Sequence, residues 1–239
     1  MFAWRETVGD VGFAVTDRSG GAGAPPYDAL NLAGHVGDDP SVVARNRALV
    51  AGALGVAPVR LVTATQVHGR DVVVIEGPLD GPPPTADALV TRTPGLVLAA
   101  LVADCTPVLL ADPEAGVVGV AHAGRPGLVA GIVPAVLDVM RAQGARRLVA
   151  RVGPSVCGRC YEVPAAMRDD VAGVAPEARA RSWTGTPALD VAAGVVAQLA
   201  DEVADLQWLH GCTREDDRWF SYRRARTTGR FAGLAWLAP

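Results

Sequence analysis

The middle of the chain is built from short, unbroken apolar runs. Leu96–Val102, Val108–Ala111 and Val117–Ala121 show no alternation of polar and apolar positions, the pattern of strands buried on both faces. Arg60–Val67 and Val72–Ile75 are rich in β-branched residues and flank the polar segment His68-Gly69-Arg70-Asp71, which predicts a hairpin with His68 at its tip. Helical periodicity appears elsewhere. Asp39-Pro40 supplies an N-cap followed by proline at the first helical position, predicting a helix that runs to Gly55 and carries Arg45, Asn46 and Arg47. Leu128, Ile132, Val136 and Val139 recur at helical spacing and stop at Gly144, and Val191, Val195, Leu199 and Val203 repeat the pattern. Strands and helices are mixed without a regular β-α-β alternation, so the expected class is α+β in preference to doubly wound α/β. There is no internal repeat, linker or low-complexity tract, only local punctuation at Gly20–Pro26 and Gly81–Pro84, so residues 1–239 are expected to form a single domain.

Composition narrows the function classes. Half of the 239 residues are hydrophobic, enough for a sizeable core, and 22 basic against 25 acidic residues give a formal net charge of −3. No basic surplus points to nucleic acid or to an anionic membrane surface. The sequence contains no lysine, so every one of its 22 basic residues is an arginine. Schiff-base chemistry, pyridoxal phosphate attachment and the phosphate-loop lysine are therefore excluded. The longest apolar run, Leu96–Ala103, is far shorter than the roughly 20 residues of a membrane helix. The opening Met1-Phe-Ala-Trp-Arg-Glu lacks the apolar segment of a secretion signal, so a cytoplasmic protein is expected. Cys105, Cys157, Cys160 and Cys212 are too few for a disulfide scaffold in a chain of this length, and an important cysteine would be a ligand or a nucleophile.

If Val108–Ala111 and Val117–Ala121 form an antiparallel hairpin with Ala111 opposite Val117, Thr106 faces His122. A shift of one residue puts Cys105 there instead, within about 5–8 Å of the imidazole. A thiolate beside a neutral imidazole suits zinc or a Cys–His nucleophile, while a cysteine and histidine packed in a core would look the same in sequence. Asp104 adjoins the pair as a hydrogen-bonding group or base. Gly124-Arg125-Pro126-Gly127 leads into a helix and offers free amides and a guanidinium to a phosphate, or is an ordinary loop with a solvated arginine. Cys157-Gly-Arg-Cys160 has redox-motif spacing without the strand-to-helix context that such motifs need. His35 and His210 lie in polar surroundings that favour structural roles. Arg223, Arg224 and Arg226 cluster beside Trp219, Phe220 and Tyr222, as a site for an anionic or aromatic ligand or as a solvated face.

Ordered blocks then connect these residues to a known family. They are Gly20-Gly21 through Pro26-Tyr27-Asp-Ala-Leu-Asn-Leu-Ala-Gly-His-Val-Gly-Asp-Asp-Pro40 with Asn46-Arg47; Gln66-Val-His-Gly69; Ala86-Asp-Ala-Leu-Val-Thr91; Ala103-Asp-Cys-Thr-Pro-Val-Leu-Leu-Ala-Asp112; Ala121-His-Ala-Gly124; Gly153-Pro154 with Tyr161-Glu-Val163; and Phe220-Ser-Tyr-Arg-Arg with Thr228-Gly-Arg230. Across nearly its whole length the chain resembles the YfiH-like laccase-domain family, described both as polyphenol oxidases and as purine nucleoside phosphorylases. The resemblance implies a sandwich of mixed β-sheets flanked by helices, and one zinc ion held by His68, Cys105 and His122. Three protein ligands leave a fourth position open, the arrangement of a catalytic zinc. It further implies phosphate-dependent cleavage of adenosine, inosine, guanosine and methylthioadenosine, together with deamination of adenosine by a metal-activated water, for which Asp104 is the candidate proton carrier. Purine nucleoside and phosphate are thus the expected partners. Without lysine, arginines must hold the phosphate; Arg47, Arg125 and Arg223 are the candidates, with Asn31 and His35 as candidate sugar contacts.

One departure stands out. Where the family often reads Ala-His-Ala-Gly-Trp-Arg-Gly, this chain has Arg125-Pro126 and loses the aromatic surface. Two other enzyme classes compete. A copper phenol oxidase is suggested by the family's other description, although three ligands at one site fall short of a multicopper arrangement. A cysteine hydrolase, such as an amidase acting on cell-wall precursors, would use Cys105 as nucleophile and His122 as base. A partner-binding domain with a vestigial site is the non-enzymatic alternative.

Overall fold

The computed structural model describes residues 1–239. In chain order the elements are β1 (Phe2–Val8), β2 (Val11–Thr16), α1 (Pro40–Ala53), β3 (Leu61–Thr63), β4 (Val72–Val74), β5 (Ala88–Thr91), β6 (Val97–Val102), β7 (Thr106–Asp112), β8 (Val117–Ala123), α2 (Arg125–Ala130), α3 (Ile132–Ala142), β9 (Val149–Val152), α4 (Ala165–Val174), β10 (Arg179–Arg181), β11 (Pro187–Leu189), α5 (Val191–Leu199), β12 (Asp205–Trp208) and β13 (Phe231–Leu237). They form a five-stranded sheet of order β1-β2-β13-β6-β3, a six-stranded sheet of order β12-β9-β7-β8-β5-β4 and a small β10-β11 pair. Both large sheets mix parallel and antiparallel neighbours, and the class is α+β.

The unbroken apolar runs have a direct explanation in the layering. Phe13, Leu98, Ala100, Phe231 and Ala235 of one sheet pack against Leu89, Leu109, Val118 and Val120 of the other. Alternate residues point outward and are buried again. Ala99, Leu101 and Leu234 meet Val50 and Ala51 of α1, while Val90, Leu110 and Ala150 meet Ile132, Val136 and Met140 of α3 and Val195 of α5. Each central strand is therefore covered on both faces, and truncating a side chain such as Leu109 to alanine would cost about 2–5 kcal/mol. The charged exception is Arg151 in β9. It is 3 % exposed and pairs with Glu6 of β1 at 2.5 Å and Asp205 of β12 at 2.7 Å, so its guanidinium ties the two sheets together.

Asp39 caps α1 as the sequence indicates, its side chain accepting from the Ser41 amide at 2.7 Å. Four expectations need correction. Arg60–Val67 and Val72–Ile75 do not form a hairpin: β3 pairs in parallel with β6 in one sheet and β4 in parallel with β5 in the other. β-Branched composition predicts a strand but not its partner, and the 64–71 segment passes between sheets. In the β7–β8 hairpin Ala111 faces Val118, so Pro107 faces His122 and Thr106 faces Ala123. The tighter turn follows from Asp112, which stays in the ladder opposite Val117 while its carboxylate accepts from the Glu114 and Ala115 amides, each at 3.0 Å. The helical run from Leu128 to Gly144 is broken at Gly131, whose φ of 86° ends α2 and begins α3. Finally, α5 stops at Leu199, and Val203 packs against the same core from beyond its end.

Candidate metal centre

Three chain segments from different places in the fold converge at one end of the two sheets. His68 sits on the connection between β3 and β4 with a φ of 61°, Cys105 on the β6–β7 connection just after Asp104, whose φ is 90°, and His122 near the end of β8. Their donor atoms all lie within 4.8 Å of one another, and His68 Nε2 is 3.7 Å from Cys105 Sγ. A tetrahedral zinc ion with ordinary bond lengths sets its nitrogen and sulfur ligands ~3.6 Å apart. The His68–Cys105 separation matches that spacing, and His122, within 4.8 Å of both, completes a donor set of the kind such an ion takes.

Asp87, at the entrance to β5, organises the centre from behind. Its carboxylate accepts from the amides of Val67, His68 and Gly69 at 3.2, 2.9 and 2.7 Å, which fixes the loop bearing His68. The same carboxylate meets His122 Nδ1 at 2.8 Å, leaving Nε2 for the centre. A carboxylate behind a metal-binding histidine sets its tautomer and strengthens it as a ligand. Burial opposes ionisation of Asp87, yet its bonds to His122, Gly69 and His68 hold its pKa below the usual value. Gly124 completes the floor. A Cβ there would lie 2.6 Å from His68 Cδ2 and 3.2 Å from Cys105 Sγ, so only glycine leaves both side chains in place.

The electrostatics without an ion are those of a charged pair. Burial disfavours the Cys105 thiolate, but His122 and His68 outweigh it and bring the thiol to about 6. Burial likewise disfavours a charged His122, and the Cys105 sulfur and the Asp87 carboxylate raise it to about 9. The centre is thus prepared to present sulfur as an anion, the form that metals and electrophiles require.

A cavity of about 390 Å³ opens over these residues. Among the sequence candidates His35, Asp104, Arg125 and Arg223 line it together with the three donors, whereas Asn31 and Arg47 do not. Asn31 is fully buried: its amide donates to Ala33 and Asp38 and its oxygen accepts from the Ala33 and Arg230 amides, so it shapes the chain behind the wall. Arg47 donates to the Leu32 carbonyl at 2.9 Å, and burial lowers its pKa. Asp104 has both oxygens committed, one to the Thr213 hydroxyl and one to the Arg223 amide, each at 2.6 Å. His35 is lowered by burial and by the charges of Arg230 and Arg47. Arg224 donates to the Thr213 carbonyl at 2.8 Å, a framework role, and His210 stacks on Trp208 with ring centroids 4.4 Å apart.

The sequence assigns no role to Asp87, Tyr161 or Arg230, whereas Tyr222 and Arg226 belong to the basic and aromatic cluster that it marks for an anionic or aromatic ligand. Tyr161, Tyr222, Arg226 and Arg230 line the cavity, with the Arg223 guanidinium 4.4 Å from the Tyr161 ring centre and Arg226 5.0 Å from that of Tyr222. A signal for Asp87 was present: a lone acid flanked by alanines at the head of a buried strand needs a partner. Nothing comparable marked Tyr161.

Residues 12–238 match the family model described as multi-copper polyphenol oxidoreductase laccase. The chain is 57 % identical to a protein of Streptomyces coelicolor named purine nucleoside phosphorylase, over 99 % of this chain and all of that one. A protein of the same name from Deinococcus radiodurans is 46 % identical over 91 % of this chain and 85 % of its own. Among solved structures, a Neisseria meningitidis protein superposes with a TM-score of 0.86 at 31 % identity, covering 100 % of this chain and 99 % of that one. YlmD from Geobacillus stearothermophilus gives 0.88 at 30 % identity, over 96 % and 93 %.

Proposed function

This chain belongs to the multi-copper polyphenol oxidoreductase laccase family, and from that premise we propose that it is a zinc-dependent purine nucleoside phosphorylase with adenosine deaminase activity. The observation that carries the reading is the His68–Cys105–His122 centre at the floor of an arginine-lined cavity. The names of its relatives supply the substrate class. Zinc held by those three residues would supply Lewis acidity at its open position.

The chain's own groups account for the remaining steps. Arg125, Arg223, Arg226 and Arg230 surround the cavity with fixed positive charge, suited to holding phosphate beside C1′ as the bond to the purine breaks. Tyr161 and Tyr222 offer aromatic surface to a base or sugar in place of the tryptophan that Arg125-Pro126 displaces. With both carboxylate oxygens occupied, Asp104 is better suited to holding Cys105 and Arg223 in position than to carrying protons. His35, kept neutral by burial and by Arg230 and Arg47, is the lining group suited to accept the proton that water loses in deamination. Adenosine, inosine, guanosine and methylthioadenosine share the purine and the N-glycosidic bond on which this arrangement would act.

A cysteine hydrolase is the second reading, because Asp87, His122 and Cys105 also stand in the order of an orienting acid, a base and an activated thiol. His68 is surplus to that scheme and required by the metal scheme. A multicopper oxidase is disfavoured by donor supply: the chain has four histidines, two of them in this centre. Mass-spectrometric product analysis of the zinc-loaded protein with adenosine, with and without phosphate, tests the proposal. Adenine and ribose 1-phosphate only with phosphate, and inosine in either condition, all lost in Cys105→Ala, are expected. Amide hydrolysis by metal-free protein, with neither nucleoside product, would replace it with the cysteine hydrolase.

A further inference from the structure

A second constellation lies outside the donors of the first. Cys157, Cys160, Cys212 and Glu215 place their sulfur and carboxylate atoms within 4.8 Å of one another. The sequence spacing is Cys-x-x-Cys followed, after a long interval, by Cys-x-x-Glu, the paired two-residue spacing of zinc-knuckle sites with the last thiolate exchanged for a carboxylate. Only the first half stands out in the sequence, as a Cys-x-x-Cys of redox or metal-site spacing that lacks the strand-to-helix context of a redox motif.

The backbone holds the two halves together without help from the side chains. The Ser155 amide donates to the Gly211 carbonyl at 3.3 Å and the Thr213 amide to the Ser155 carbonyl at 3.1 Å, a short parallel ladder that sets Cys157 beside Cys212. Between the first two cysteines the chain turns tightly, the Cys160 amide donating to the Cys157 carbonyl at 2.9 Å. The Cys157 amide donates to Cys212 Sγ at 3.5 Å. Cys160 Sγ reaches Glu215 Oε1 at 3.3 Å, and Trp183 Nε1 steadies the same oxygen at 2.9 Å.

From this geometry we propose that Cys157, Cys160, Cys212 and Glu215 bind a zinc ion that serves structure. Four protein donors close the coordination shell, unlike the open three-donor centre, and a thiolate-rich set selects a soft tetrahedral ion. Sulfurs on a tetrahedral zinc stand ~3.8 Å apart, so donors already within 4.8 Å of one another need close by no more than about 1 Å. Binding releases the thiol protons to solvent and involves no oxidation.

The ion would brace the outer wall of the cavity. Tyr161, which lines it, follows Cys160 directly, and Thr213, which hydrogen-bonds Asp104 beside Cys105, follows Cys212. This holds whatever the cavity turns over.

Metal content of the full chain, purified under reducing conditions and supplied with zinc, tests the proposal by native mass spectrometry. Two equivalents are expected in the wild type, one in Cys105→Ala, one in Cys160→Ser and none in the double variant. An unchanged metal content in Cys160→Ser, or a disulfide joining two of these cysteines in the reduced preparation, would overturn it. Should Cys160→Ser fail to fold, Cys105→Ala loaded with cobalt(II) still decides. Every remaining cysteine of that variant lies in the second cluster, so an intense thiolate-to-cobalt charge-transfer band is expected, and its absence contradicts the site.

Discussion

The molecule gathers its four cysteines into two clusters with opposite electrostatics. Around Cys105 stand two imidazoles, and the thiol falls to about 6. Around Cys160 stand two more thiols and a carboxylate, and its thiol is driven up. The first cluster stabilises its anion without any ion, and it has three donors under an open cavity. The second raises the Cys157 and Cys160 thiols above their usual value, and its four donors would enclose a cation. Ligand type alone does not separate a site for chemistry from a site for structure; the sign of the surrounding charge and the count of donors do.

The sharpest break in this comparison comes from removing one donor on each side. Cys105→Ala should lose the metal of the open centre and reduce nucleoside turnover to background, whereas Cys160→Ser should lower the thermal midpoint yet retain metal at His68, Cys105 and His122, as metal analysis with differential scanning fluorimetry would show. A close second is Gly124→Ala. Its added methyl meets His68 at 2.6 Å, so metal at the open centre and activity should both be lost from protein that still folds by circular dichroism.

Next in size is Asp87→Asn, which keeps the shape but weakens the acceptor behind His122. Metal affinity of the open centre should fall about 10–100-fold, measured by competition with a chelating dye, with the second cluster unaffected. Arg223→Ala removes a charge facing the cavity. Loss of one charge-assisted hydrogen bond, about 1.5–3 kcal/mol, should raise the KM for phosphate roughly 10–100-fold with a smaller change in kcat; an unchanged KM would remove Arg223 from the phosphate role.

The mildest test is titration of metal-stripped protein by ultraviolet thiolate absorbance. Cys105 should ionise with a midpoint near 6, shifting back toward 9 in His122→Ala, while Cys157 and Cys160 stay protonated through neutrality. Linkage gives the stability consequence. The depressed Cys105 contributes stability that is present above 9 and lost as pH falls through 6, and the raised His122 contributes stability that is present below 6.5 and lost as pH rises through 9. Between about 6.5 and 9 the folded pair holds one proton on His122 and the unfolded pair one on Cys105. The two slopes therefore cancel, and urea unfolding should show no pH dependence from this pair across that window.

What the sequence disclosed followed from how local each signal was. The buried strands and the capped start of α1 are written in adjacent residues, and both are present. The Cys105–His122 proximity rested on a hairpin, where register is set by a nearby turn; even there the position slipped by one residue because Asp112 stays in the ladder. His68 reaches the centre on the loop that crosses from one sheet to the other and Asp87 on the connection between β4 and β5, and no periodicity reports a meeting of that kind. The partnership of Cys157 and Cys160 with Cys212 and Glu215 was equally hidden, since more than 50 residues separate the halves. Tyr161 of the cavity wall carried no signal because an aromatic residue in a loop serves packing as readily as binding.

The open metal centre is the claim on which the functional reading rests, and anomalous diffraction from zinc-loaded crystals, measured on both sides of the zinc absorption edge, addresses it directly. The account predicts a peak bonded to His68 Nε2, Cys105 Sγ and His122 Nε2 with one coordination position facing the cavity. Fully active protein without density there would contradict it and leave Cys105 as a nucleophile.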